Sequence, residues 1–171
     1  MEFYQTVQRR YSCRNYQDKP VEEEKLERVM EAARLAPSAS NRQEWRFLAV
    51  TDPDKRDRLI KIAHGQKFVG QAPVVIAACA VTDGHVMSCG QLSYPIDVAI
   101  ALEHVALAAT AEGLATCWIG AFEEEPVKRL LEIPPDVRVV QLMPLGYPAD
   151  KPRPKTRMPL GEVFMRDSWG G

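Results

Sequence analysis

Val74-Val75-Ile76-Ala77-Ala78-Cys79-Ala80-Val81 is the stretch on which the fold turns. It is an almost unbroken run of β-branched and apolar residues, the pattern of a strand buried on both faces. The flanking sequence supplies its partners. Trp45 to Thr51 reads as a strand, and Asp52-Pro53 turns the chain into a short helix through Ala63. Pro20 to Ala36 reads as a helix. Pro20 suits its first turn, Glu22, Glu23 and Glu24 complement the positive end of the dipole, and Pro37 stops it. Leu26, Val29, Met30 and Ala33 form its core-facing stripe. Beyond the central run, Ile96 to Glu112 is the strongest helix, with Gly113 well suited to its C-terminal end. It is rich in alanine on several sides, so it belongs in a core or a subunit interface. Leu114 to Ile119 reads as a short strand, Glu123 to Leu131 as a helix closed by Pro134-Pro135, and Val137 to Leu145 as a strand ending in Gly146-Tyr147-Pro148. Such a mixture is α+β or α/β, with a three-layer sandwich among its arrangements.

The chain has 171 residues, of which 46% are hydrophobic and 26% charged, and a formal net charge of -1. These values suit one soluble domain covering residues 1–171, with no repeat and no linker. A near-neutral balance gives no support for nucleic-acid binding, which calls for a basic stripe. The opening residues lack the shape of a signal peptide, because Arg9 and Arg10 interrupt them. The longest apolar stretch, Ile96 to Ala111, carries Asp97, Glu103 and His104, so no membrane span is expected. Cys13, Cys79, Cys89 and Cys117 form no CxxC pair and no disulfide framework, which points to a reducing cytoplasm.

Against this neutral background stand two basic clusters at opposite ends. One is Arg9-Arg10-Tyr11-Ser12-Cys13-Arg14 and the other Lys155-Thr156-Arg157. Concentrated positive charge on a near-neutral chain suits one small anionic group, since arginine grips phosphate with a planar fork and serine adds a neutral donor. If the fold joins the two ends they make a phosphate socket; if not, they are solvated charge runs. The familiar catalytic constellations are missing: no GxGxxG after a strand, no GxxxxGK[ST] loop and no GxSxG elbow. Asp83, His85 and Cys89 lie close together but lack a second ligand pair at zinc spacing. Ser38, Ser40, Asn41 and Gln43 cluster after a helix end, where they serve either a heteroaromatic ring edge or an ordinary turn. Thr116 to Phe122 runs from a strand into Gly120, where a ligand can approach the backbone.

In order, the stretches R-R-Y-S-C-R-N-Y, A-P-S-A-S-N-R-Q-E-W-R-F, G-L-A-T-C-W-I-G-A-F, L-G-Y-P and P-K-T-R closely resemble the FMN-dependent nitroreductase family, from Arg9 to about Phe164. The resemblance implies a three-layer α/β/α fold around a mostly antiparallel sheet. It also implies a homodimer with FMN at the subunit interface and a C-terminal arm laid across the partner. It places the FMN phosphate and ribityl contacts on Arg10, Tyr11, Ser12 and Arg14, completed by Lys155 and Arg157. Flavin contacts fall on Pro37, Ser38, Ala39, Ser40 and Asn41, with a further one on Gln66. The backbone of Trp118, Ile119 and Gly120 is placed near the reactive edge of the flavin. The family often has histidine where this chain has Tyr11, and usually Gln-Pro-Trp where it has Gln43-Glu44-Trp45. It often has Asn-Gln where this chain has Gly65-Gln66.

The implied activity is electron transfer by ping-pong kinetics from NADH or NADPH, through flavin N5, to a nitroaromatic, quinone or related acceptor. No side chain need act as acid or base, because the flavin carries the chemistry. The alternatives are a dehalogenating or flavin-fragmenting enzyme on the same fold, a non-catalytic flavin-sequestering protein, and a metal site at Asp83, His85 and Cys89. The segment Thr82 to Tyr94, over the site in longer relatives, is brief here.

Overall fold

A computed structural model describes residues 2–169; Met1, Gly170 and Gly171, included in the expected domain, lie outside the described residues. In chain order the elements are α1 (Phe3–Arg9), α2 (Glu23–Arg34), β1 (Trp45–Val50), α3 (Pro53–Ile62), α4 (Lys67–Gln71) and β2 (Val74–Ala80). There follow α5 (Ser93–Ala111), β3 (Ala115–Thr116), α6 (Glu124–Leu131), β4 (Arg138–Gly146) and α7 (Leu160–Val163).

The central run forms β2, and all of its residues are buried. It lies inside a sheet of order β1-β2-β4-β3 whose strand pairs are antiparallel. Side chains alternate across a strand, and β2 shows why neither face of this one is polar. Val74, Ile76, Ala78 and Ala80 join a core with Leu26, Val29 and Ala33 of α2 and Val98, Leu102 and Val105 of α5. Val75, Ala77 and Cys79 join a second core with Leu59 of α3, Val69 of α4 and Val127 and Leu130 of α6. The result is the expected three-layer α/β/α sandwich, with the sheet between α2 and α5 on one side and α3, α4 and α6 on the other.

One irregularity re-aims β4. Ala78 pairs with Gln141 but Cys79 with Val139, so β4 carries an extra residue, a β-bulge. Its parity changes there: Val139 and Leu142 face the second core while Met143 and Leu145 face the first.

Several boundaries differ from the sequence reading. The helix expected from Pro20 starts at Glu23, because Glu22 is extended. The strand expected over Leu114 to Ile119 is a ladder only at Ala115–Thr116, and Ile119 rejoins the sheet through an isolated bridge to Leu142. α1 and α4 are too short for a periodic stripe and were not expected. α5 begins three residues early because its first turn accommodates Pro95. By length and composition α5 could cross a membrane, yet its apolar surface serves the first core. The remainder of Thr82 to Tyr94 is a small turn closed by the Val86–Leu92 bridge.

Candidate functional site

The two ends of the chain meet beside the short strand β3. Cys13 N–H donates to Thr116 O at 2.9 Å, and Ser12 forms a parallel bridge with Thr116. Residues 15–17 then run beside residues 147–149, with Ala149 N–H donating to Asn15 O at 2.9 Å and Gln17 N–H to Tyr147 O at 2.9 Å. This pairing delivers both basic clusters to one pocket of about 300 Å³. The N-terminal segment contributes Arg10, Tyr11, Ser12 and Arg14 to it, and the tail contributes Asp150, Lys151, Arg153, Lys155 and Arg157. Six cationic side chains thus face one carboxylate. Lys151 and Arg153 were missed in the sequence. The signal was the alternation Lys151-Pro152-Arg153-Pro154-Lys155-Thr156-Arg157, since extended chain sends every second side chain the same way.

Asp150 fastens the pocket. Tyr11 Oη donates to its Oδ1 at 2.8 Å, and the Cys13 thiol approaches the same oxygen at 3.4 Å. Burial pushes the Cys13 thiol up to about 11, so it stays protonated at neutral pH. Burial, and then the bond to Asp150, likewise raise the Tyr11 phenol. Tyr11 is therefore engaged with the tail at a position expected to contact phosphate. Lys155 Nζ donates to the carbonyls of Val7 and Gln8 at the end of α1. Burial lowers its pKa, and the charges of Arg10 and Arg157 lower it further. Arg10 lies 3.8 Å from Glu103 of α5.

The other candidates lie outside this pocket. Pro37 to Asn41 leave α2 and turn through Ala39–Asn41, where Ala39 N–H donates to the buried Asp97 of α5 at 3.0 Å. Ser40, Asn41 and Gln43 all have positive φ, at 50°, 55° and 49°. Such backbone costs about 1–3 kcal/mol per residue for side chains other than glycine, so it needs outside support. Gln66 Nε2 is occupied by the carbonyls of Ala63 and Ala121, at 3.0 and 3.3 Å, which makes it a brace. Trp118, Ile119 and Gly120 extend from β3. Ile119 N–H is committed to Leu142 O at 2.9 Å. That removes Ile119 as a donor to a ligand. Gly120 is exposed, and its N–H makes no hydrogen bond among the described residues. Asp83 is paired with Arg42 at 2.6 Å, and among the described residues no three His, Cys, Asp or Glu are grouped to hold a metal ion.

The model of the Nitroreductase family matches residues 7–81 and 61–147, which between them hold both the sheet and the N-terminal half of the pocket. The chain belongs to the Nitroreductase family. It is 31% identical to an FMN reductase [NAD(P)H] of Bacillus subtilis, over 92% of this chain and 70% of that one. It is 30% identical to an NADH dehydrogenase of Thermus thermophilus, over 92% of each. A nitroreductase family protein of Clostridium difficile, solved by crystallography, superposes with a TM-score of 0.88 at 32% identity, covering 99% of this chain and 100% of that one.

At Glu44, where the resemblance led proline to be expected, the structure shows a buried carboxylate with its own partners. Glu44 is 6% exposed. Its Oε1 accepts from Arg42 Nη2 at 3.2 Å and its Oε2 from Ser93 Oγ at 3.2 Å. Arg42 Nη2 also reaches Asp83. Burial alone would raise the Glu44 carboxyl, but hydrogen bonds from Thr82 and Arg42, the Arg42 charge and Ser93 outweigh it and hold it below its ordinary value. In place of a rigid proline the chain has a charged knot joining the strained 38–43 loop to the 82–93 segment and the first turn of α5.

Proposed function

We propose that this nitroreductase binds FMN and uses NADH or NADPH to reduce a nitroaromatic, quinone or related small acceptor, donor and acceptor alternating at one site. The observation that carries the reading is the joining of both basic clusters in one pocket. The donor set fits the phosphate of FMN. Arg10, Arg14 and Arg157 offer planar forks, Lys155 a point charge and Ser12 a hydroxyl, as a phosphate dianion requires. When bound, the flavin supplies the redox chemistry at its N5 edge.

The chain's own residues bind and orient. We assign the phosphate to Arg10, Ser12, Arg14, Lys155 and Arg157, with Tyr11 holding the tail in register through Asp150. We assign the unpaired N–H of Gly120 to the reactive edge, where a fixed dipole stabilises developing negative charge. Trp118 and Ile119 shape that edge. A Cβ on Gly120 would come no nearer than 3.8 Å to Gln141, so the packing does not demand glycine and the open backbone suits a ligand. Pro37, Ser38, Ala39, Ser40 and Asn41 lie outside the cationic pocket of their own chain, and we assign them to the partner's flavin in a homodimer. Exposed apolar side chains support that assembly: Ile96 on α5 is 41% exposed, and Leu160 and Phe164 on the tail are 73% and 56% exposed. Free cysteines at every described position support a reducing, cytoplasmic setting.

The test is an absorbance spectrum of purified protein before and after anaerobic NADH or NADPH. Flavin bands that bleach are expected. Bands that persist would favour flavin sequestration, and no bands after adding FMN would refute the reading. The variant Arg10→Ala with Arg157→Ala is expected to lose FMN while remaining a folded dimer by sedimentation. Stoichiometric flavin retained in that variant would refute the phosphate assignment.

A further inference from the structure

The charged knot at Glu44 holds one end of the strained loop. Ser40, Asn41 and Gln43 have positive φ, and backbone of that kind persists only where its surroundings over-determine it. The other end is held by Asp97 of α5, a buried acid to which the proposed function gives no task. Asp97 is 3% exposed. Its Oδ1 accepts from Ala39 N–H at 3.0 Å, and Ala39 N–H has no other acceptor among the described residues. Its Oδ2 is buried with no hydrogen-bond partner, and among the described residues no lysine, arginine or histidine is paired with it. An acid buried without a counter-ion costs folding more than it supports it. The bond it does make runs to the loop.

Placement on α5 gives that bond its reach. Ser93 and Asp97 stand four residues apart, so they share one face of the helix. Ser93 Oγ donates to Glu44 Oε2 at 3.2 Å, and Asp97 receives Ala39. The residues with positive φ lie between these two attachments. α5 itself is packed into the first core through Val98, Ala101, Leu102 and Val105. The loop is thereby registered against a rigid element, which holds binding groups more closely than a free loop can.

We propose that Asp97 is a positioning residue for the flavin: through Ala39 N–H it holds the 37–41 turn in the shape that meets the cofactor. It acts through the backbone, and no contact with the flavin is asked of it. The proposal rests on the assignment of Pro37, Ser38, Ala39, Ser40 and Asn41 to a flavin and says what keeps them in place. A loop that holds its flavin-ready shape about one-tenth of the time raises the apparent Kd about tenfold.

The experiment titrates full-length apoprotein with FMN, followed by flavin fluorescence. Asp97→Ala removes the acceptor, Asp97→Asn keeps an amide oxygen in its place, and Ala39→Pro removes the donor. Proline suits that position, because Ala39 opens the Ala39–Asn41 turn and Ser38 before it is extended. Asp97→Ala and Ala39→Pro are each expected to weaken FMN about tenfold, with Asp97→Asn within about threefold of wild type. Asp97→Ala with Ala39→Pro should stay within about twofold of either single variant, because both remove one bond. Unchanged affinity in Asp97→Ala, failure of Asp97→Asn to recover it, or losses that multiply in the double variant overturns the proposal. If Asp97→Ala does not fold, Ala39→Pro against Asp97→Asn decides by the same factors. Wild-type apoprotein that takes no FMN overturns the FMN reading instead. Amide exchange at Ala39 then tests the anchor by itself: protection is expected in wild type and Asp97→Asn and not in Asp97→Ala, and equal protection in all three overturns it.

Discussion

Glu44→Ala is the substitution that most directly examines how this chain supports its strained loop. The carboxylate is 6% exposed and receives Arg42 and Ser93, each at 3.2 Å. Its removal leaves the Ser93 hydroxyl, which is fully buried, with only a 3.4 Å contact to His85 O. It also leaves Arg42, whose Nε is already buried without a partner, dependent on the exposed Asp83. A lost hydrogen bond to a charged group is worth about 1.5–3 kcal/mol, and breaking a fully buried ion pair about 3–5 kcal/mol. Arg42 is 29% exposed and retains Asp83, so solvent screening holds the expected loss to about 2–4 kcal/mol. At this chain length that corresponds to a fall in Tm of about 5–15 °C. The assay is urea unfolding followed by circular dichroism, on Glu44→Ala, Arg42→Ala and the double variant. The double variant is expected to be at least about 1 kcal/mol more stable than additivity of the two losses allows, because it leaves neither charge stranded. A Glu44→Ala loss below about 0.5 kcal/mol, or strictly additive singles, would refute the charged-knot account.

Two further outcomes follow from packing and ionisation. A Cβ on Gly146 would lie 2.4 Å from Pro73 Cδ and 3.2 Å from Tyr16 Cδ1; because the proline ring cannot swing away, Gly146→Ala is expected to cost about 1–3 kcal/mol, read as a lower urea midpoint, and an unchanged midpoint would refute it. The stability should also be acid-sensitive in a defined direction. A hydrogen bond from Tyr147 lowers Glu22 to about 2, Arg42 lowers Asp83, Arg28 lowers Glu112 and Arg138 lowers Glu124. Folded values below the unfolded ones mean stability that is present above the ordinary carboxylate range and lost as pH falls through it. The urea midpoint should hold between pH 7 and 5 and fall between pH 5 and 3; a midpoint already falling above pH 5 would point to other groups.

What could be read from the sequence follows what is local. β2 was legible because both of its faces meet the same kind of surface, so the run announces itself in consecutive residues. α2 was legible through its stripe and α3 through Asp52-Pro53, where the Asp52 side chain accepts from Lys55 N–H at 2.9 Å. The bulge in β4 was not legible, since register depends on a partner strand more than fifty residues away. The same distinction governs the site. Arg10, Ser12, Arg14, Lys155 and Arg157 were identified by composition and motif order, and the fold brings them together. Asp150 looked like one acid in a basic tail until its bonds to Tyr11 and Cys13 were seen. Glu44 could be recognised only as a departure, because its partners Ser93 and Asp83 lie in a segment with no pattern of its own.

The position of the pocket follows from the place of β3 at the sheet edge. Its inner side pairs with β4, and on its outer side Thr116 O accepts Cys13 N–H. That bond starts the N-terminal segment along the sheet edge, and the tail pairs with it through Asn15 and Gln17. Both ends are thereby held by backbone hydrogen bonds, while the charged side chains they carry are left facing one another. Crowding of this kind works against the protein alone; at Lys155 burial lowers the pKa first, and the charges of Arg10 and Arg157 add to it. The backbone pairing and the Tyr11–Asp150 bond hold against that repulsion, so the cations are already gathered when an anion arrives. An anion that binds only the folded chain would need little rearrangement and would stabilise it with the logarithm of its concentration over its Kd. A pocket that opposes folding slightly and favours its ligand strongly is what a cofactor site requires, and the residues whose charges oppose folding here are the ones assigned above to the phosphate.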